Sequence, residues 1–161
     1  MICCQITIKI TKFSNKIIMS KYFECTVKYE KMTEKGTNKL TTEKYVLDSL
    51  SFTESEANML AYIEPFVNGE CCVHAIKRCG YEEVVLSDNE EDDKFYEVRL
   101  LFVSVDENTM KEKKVPYDML FQAKNMEGVL SKVKELMKGS MVDYESIKVQ
   151  ETAILDFISY K

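Results

Sequence analysis

Two prolines and five glycines leave little room for long irregular stretches. There is one histidine, His74, and no C-x-x-C pair, so a zinc set of familiar spacing cannot be completed. No apolar run approaches the roughly 20 residues that a membrane-spanning helix needs. The opening MICCQITIKITKFSNKIIMS alternates apolar and polar residues and lacks the continuous apolar segment of a signal peptide. A cytoplasmic location is therefore expected. Walker, G-x-G-x-x-G, H-E-x-x-H and G-x-S-x-G patterns are all missing, and with them the common phosphate-loop, dinucleotide, zinc-protease and serine-hydrolase chemistries.

What is present is a globular composition: 45% hydrophobic and 30% charged over 161 residues, one ordinary domain's length with enough apolar residues for a core. The six cysteines include two adjacent pairs, Cys3-Cys4 and Cys71-Cys72. These pairs, Cys25 and Cys79 all sit in apolar, strand-like runs, which predicts reduced, mostly buried thiols. The net charge of −5 is unevenly spread. Residues 1–18 hold three lysines and no acid, which leaves 19 Lys+Arg against 27 Asp+Glu in residues 19–161. An acidic body disfavours nonspecific binding to a phosphate backbone, so nucleic acid is an unlikely partner.

Internal matches point to a duplication. Lys21-Tyr22-Phe23-Glu24-Cys25 aligns with Lys94-Phe95-Tyr96-Glu97-Val98, 73 positions on. Met59, Leu60, Ile63, Phe66, Val67 and Gly69 align with Val129, Leu130, Val133, Leu136, Met137 and Gly139 at a spacing of 70, and Ile76-Lys77 with Ile147-Lys148 at 71. The expected fold class is α+β: duplicated β-β-α-β units, a mainly antiparallel sheet, and two helices packed on one face. The repeats span 21–86 and 94–160 within one domain, 19–161. Strands are expected at about 21–32, 40–50, 70–86, 94–106, 113–123 and 141–158, the third and last bent near Gly80 and Gln150. Thr53-Glu54-Ser55-Glu56 reads as a capping box before one helix, which Asn68-Gly69 ends. Asn125 caps the other helix and Gly139 closes it. The acidic run 87–93 reads as a solvated, flexible linker rather than a calcium loop. Residues 1–18 have no counterpart, and read either as an extension from a mis-assigned start or as an edge strand over Gln5–Ile10.

Tyr22-Phe23-Glu24-Cys25, Ser51-Phe52-Thr53-Glu54-Ser55-Glu56-Ala57, Ala75-Ile76-Lys77-Arg78, Met137-Lys138-Gly139 and Glu151-Thr152-Ala153 together resemble a family of small uncharacterised proteins. That family occurs in gut Bacteroidales and their phages, crAss-like phages among them. The resemblance covers essentially 21–160 and implies a phage-type origin, but carries over no catalytic residue or cofactor.

Nucleophilic catalysis would have to use His74 as its base, yet His74 falls mid-strand in Cys72-Val73-His74-Ala75-Ile76 with no third group to orient it. Enzyme activity is disfavoured. The expected ligand-binding residues are Lys77, Arg78, Arg99 and Lys148, whose cationic heads can grip phosphate, with Tyr81 and Tyr96 as stacking surfaces. No metal site or cofactor is expected. The expectation is a non-catalytic binding protein for a phosphate-bearing small molecule or nucleotide, acting as a counter-defence sponge. The alternatives are a protein-interaction or structural module that forms homo-oligomers or grips a host protein, and single-stranded nucleic-acid binding.

Overall fold

The computed structural model describes residues 21–67 and 69–159. Residues 1–18 with both readings of them, Cys3-Cys4, and the helix-ending role of Asn68 lie outside the described residues. The described residues divide into two units: one holds residues 21–80 together with 153–159, the other runs from Tyr81 to Thr152.

In the first unit, β1 (Tyr22–Met32) and β2 (Asn38–Asp48) form an antiparallel hairpin. Its turn closes by Thr33 N–H donating to Thr37 O at 2.9 Å and Gly36 N–H to Thr33 O at 2.8 Å. Gly36 sits at φ 74°, a conformation that favours glycine. Helix α1 (Phe52–Ile63), a single 3₁₀ turn (Glu64–Phe66) and β3 (Cys71–Arg78) follow, with β3 antiparallel to β1. Strand β8 (Ile154–Ser159) completes the sheet, parallel to β2, in the order β3-β1-β2-β8.

The second unit repeats this plan. It contains β4 (Glu83–Val85), β5 (Lys94–Val105), β6 (Glu112–Ala123), α2 (Met126–Met137) and β7 (Tyr144–Glu151). The hairpin is β5-β6, β7 lies antiparallel to β5, and β4 lies parallel to β6, in the order β4-β6-β5-β7. The α+β class is as expected, but the architecture is two mixed four-stranded sheets with one helix each rather than a single sheet carrying both. Each expected long final strand is two strands in different sheets. Between β3 and β4, Cys79 N–H donates to Tyr22 O and Glu82 N–H to Asp118 O, both at 2.8 Å, so the backbone changes sheets where sequence alternation reads as continuous.

Alternation along the strands sends every second side chain to the helix. In the first unit Cys25, Val27, Tyr29, Tyr45 and Leu47 meet Met59 and Ile63 of α1. In the second, Val98, Leu100, Phe102, Met119 and Phe121 meet Val129, Val133 and Met137 of α2. Full burial of such side chains contributes about 1.5–3 kcal/mol each.

Helix α2 has the expected bounds, with Asn125 Oδ1 accepting from Gly128 N–H at 2.8 Å. Helix α1 starts two residues earlier than expected. Its cap is Ser51, whose Oγ accepts from Glu54 N–H at 3.1 Å, while Glu54 Oε2 accepts from Leu50 N–H at 2.6 Å. It ends at Ile63 because Pro65 offers no N–H to continue the ladder. Ser51→Ala is therefore expected to cost about 1 kcal/mol in thermal or denaturant unfolding, and Thr53→Ala almost nothing; the reverse ranking would restore the cap at Thr53.

The acidic run 87–93 is not a free linker. Asp92 accepts from Lys124 N–H at 2.8 Å, from Lys132 Nζ at 2.6 Å and from the Ser87 hydroxyl, and Ser87 N–H donates to Gln122 Oε1 at 3.1 Å. The run is a turn tied to the end of β6 and to α2. Composition favours solvation there; three donors converging on one carboxylate override it.

Candidate functional site

Lys77 and Arg78 end β3, and as neighbours on a strand they leave opposite faces of the sheet. Lys77 stands beside Glu24 in register, its Nζ 3.0 Å from Glu24 Oε1, with Lys44 Nζ 3.4 Å from the same oxygen. The Glu24 side chain is only 10% exposed, so two lysines answer one largely buried carboxylate.

Arg78 stands beside Phe23 in register. Its guanidinium carbon lies 5.6 Å from the Phe23 ring centroid and 5.7 Å from that of Phe52, the first residue of α1. The two rings pack edge-to-face at 5.0 Å. Phe23 is fully buried and Phe52 is 47% exposed, so the guanidinium rests on an aromatic shelf at the surface. Among the described residues no carboxylate lies within ion-pairing distance of Arg78. A guanidinium held over aromatic faces keeps its in-plane N–H donors, the geometry suited to bidentate contact with phosphate or carboxylate.

The other expected cations are placed differently. Arg99 is already gripped by Asp118, Nε to Oδ1 at 2.5 Å and Nη2 to Oδ2 at 2.8 Å, and that carboxylate holds the guanidinium charged even more firmly than usual. Lys148 is exposed and stands beside Arg99 in register. Both belong to the second unit. So do Tyr81, which is half-buried, and Tyr96. Tyr96 is 2% exposed within the α2 core, with its hydroxyl 3.5 Å from Glu151 Oε2, so it presents no face for stacking a base. Nor does β7 echo the Lys77-Arg78 pair. Glu24 and Phe23 face Lys77 and Arg78, whereas Glu97 and Tyr96 face Gln150 and Glu151. The match of Ile76-Lys77 with Ile147-Lys148 is a match of letters two residues out of structural register.

Sequence reasoning missed the shelf, Phe23 with Phe52, and the counter-charge, Glu24 with Lys44. No local signal marks them, because cross-strand pairing makes both.

A cleft of about 620 Å³ opens at the other end of β3, lined by Tyr29, Glu30, Leu40, Glu70, Cys71 and Cys72 among others. Burial pushes the Cys71 thiol up, and Glu30 and Glu70 stand against a single lysine, Lys28, in the cleft's lining. Behind it lies a polar cluster on the α1 side: Glu43 Oε2 accepts from Tyr29 OH at 2.8 Å and from Tyr45 OH at 2.7 Å. Burial first, and Glu43 second, push Tyr29 up to about 12 and Tyr45 up further. Burial also raises the Cys25 thiol to about 12, with Cys79 and then Glu24 adding to it, so Cys25 is no nucleophile. His74 is the extra residue of a bulge on the outer strand β3. Among the described residues, no group of three or more His, Cys, Asp and Glu is placed to hold a metal ion, and no helix is long and apolar enough to cross a membrane.

A family model described as a domain of unknown function, DUF4494, matches residues 21–160. No curated protein and no solved structure matches the chain.

Proposed function

The chain belongs to the DUF4494 family, and we propose that it is a non-catalytic binding protein that holds a phosphate-bearing ligand, a nucleotide being the favoured class, at Arg78. The observation that carries this reading is the contrast between the two arginines. Asp118 occupies the donors of Arg99, whereas Arg78 rests on Phe23 and Phe52 and, among the described residues, has no carboxylate within ion-pairing distance. Phe52, half-exposed at the edge of the shelf, offers a ring face to a base.

The second reading, strand addition to a protein partner, is favoured by the place of β3 and β7 as outer strands among the described residues. Against it, both edges carry a register break, between Thr26 and Val27 opposite β3 and between Leu100 and Phe102 opposite β7. Bulges and charged side chains such as Lys77, Lys148 and Glu151 are the devices with which sheets repel added strands.

The test is calorimetric titration with inorganic phosphate and with ATP as probes. Arg78→Ala is expected to weaken ATP binding about 10- to 100-fold, the worth of one charge-assisted contact, and Arg78→Lys by less. Arg99→Ala should leave it unchanged. Equal affinity in wild type and Arg78→Ala, with folding intact by circular dichroism, sinks the site.

We also propose that the two units arose by duplication. The N-caps Ser51 and Asn125 stand 74 positions apart, as do the buried helix residues Ser55 and Val129, Met59 and Val133, Ile63 and Met137. The facing pairs Cys25–Tyr45 and Val98–Met119 keep spacings of 73 and 74. The spacing of 70 read from the helix sequences is one turn out.

A further inference from the structure

The first sheet takes its fourth strand from a separated part of the chain: β8 follows β7 yet pairs with β2, whereas β4 follows β3 and pairs with β6 inside the continuous stretch 81–152. From this arrangement we infer that β8 also passes between molecules: residues 154–159 of one copy complete the β2 edge of a second copy, giving a reciprocally strand-exchanged dimer.

Three features carry the inference. The hinge is minimal. Thr152 is fixed to Phe95 O by its N–H at 2.9 Å and its hydroxyl at 2.8 Å, and Ile154 is already in register with Lys44. Ala153 alone lies between these anchors, and short hinges favour exchange between copies. Next, every contact described for β8 stays within the unit it completes. Its backbone pairs with Lys44–Asp48, Ile158 packs in the α1 core, and Asp156 Oδ2 accepts from Tyr62 OH at 3.1 Å. A second copy offers the identical surface, so exchange keeps all of these contacts and the balance is set by concentration and the hinge. Finally, β8 already completes a sheet from which the whole stretch 81–152 separates it, so a strand returning from a distance is its normal folded form rather than an accident of unfolding.

The experiment is to refold the full chain from denaturant at low and high protein concentration and to measure mass by light scattering. The dimer-to-monomer ratio should rise about tenfold for a tenfold rise in free protein. Inserting three small residues after Ala153 should lower that ratio roughly tenfold or more by relieving the hinge. To locate the contact, an equal mixture of ¹⁴N- and ¹⁵N-labelled Asp48→Cys/Ser159→Cys protein is refolded, the dimer isolated and oxidised, and its 48–159 disulfide peptide weighed. Asp48 and Ser159 are in register between β2 and β8. Peptides of mixed label support exchange of β8. A dimer that yields only singly labelled peptides, without the roughly half of mixed label that random pairing of exchanged chains gives, overturns it, as does wild-type protein that stays monomeric at every concentration.

Discussion

Replacing Glu43 by alanine is expected to lower the stability of the fold by about 2–5 kcal/mol, the combined penalty of leaving two buried phenol donors without an acceptor. Tyr29 and Tyr45 are 6% and 4% exposed, and one carboxylate oxygen answers both hydroxyls. Both rings pack in the α1 core, and Tyr29 also lines the cleft at the start of β3. Glu43→Gln keeps an acceptor and should recover about half of the loss. The triple change Glu43→Leu/Tyr29→Phe/Tyr45→Phe removes donors and acceptor together and should be milder than Glu43→Ala alone. Guanidinium unfolding followed by circular dichroism measures all three. A Glu43→Ala midpoint equal to wild type would show that the hydroxyls find other partners.

The same cluster sets an alkaline limit. Folded Tyr29 titrates at about 12 against 10.0 when exposed, and Tyr45 is pushed higher. Between these values the folded chain holds protons that the unfolded chain has released, so stability present below pH 10 falls as pH rises. The slope is about 1.4 kcal/mol per pH unit for each tyrosine. Tyr29→Phe should remove one tyrosine's share of that slope between pH 10 and about 12.

The second unit, built on the same plan, places Phe102, Tyr117 and Met119 where the first has Tyr29, Glu43 and Tyr45. The polar cluster thus belongs to the first unit, as Arg78 and its shelf do. This asymmetry is invisible to a comparison of apolar patterns, since tyrosine, phenylalanine and methionine all score as core. Sequence periodicity does reveal the hairpins and both helices, because alternation and caps are local. It names Arg78, because a cation at the end of an apolar strand is a local fact too. It does not reveal which strand lies beside which. Glu24 with Lys77, Phe23 with Arg78 and the passage of β4 and β8 between sheets are all products of pairing. Pairing also decides the fate of charge runs, as residues 87–93 show.

Asp92→Ala is expected to destabilise by about 2–4 kcal/mol, because it strips partners from a lysine ammonium, a backbone N–H and a hydroxyl at once. The carboxylate side chain is 11% exposed and that of Lys132 29%, so water replaces the lost bonds poorly. Lys132 Nζ also donates to Gln122 O at 2.8 Å, which keeps the cation in place and the site poised for a negative charge. Lys132, then Ser87, holds Asp92 below the usual carboxylate range. A depressed folded value means that the stabilisation is whole above the unfolded value near 3.9 and drains away as pH falls below it. Asp92→Asn preserves the acceptor for Lys124 N–H but not the charge. It should cost less than alanine at neutral pH and flatten the acid limb of the stability curve, because the titrating group is gone. Denaturant midpoints measured from about pH 6 down to about pH 2 separate the two contributions. An acid limb unchanged in Asp92→Asn would assign it to other carboxylates. A neutral Asp92→Ala would return residues 87–93 to the solvated linker that their composition suggests.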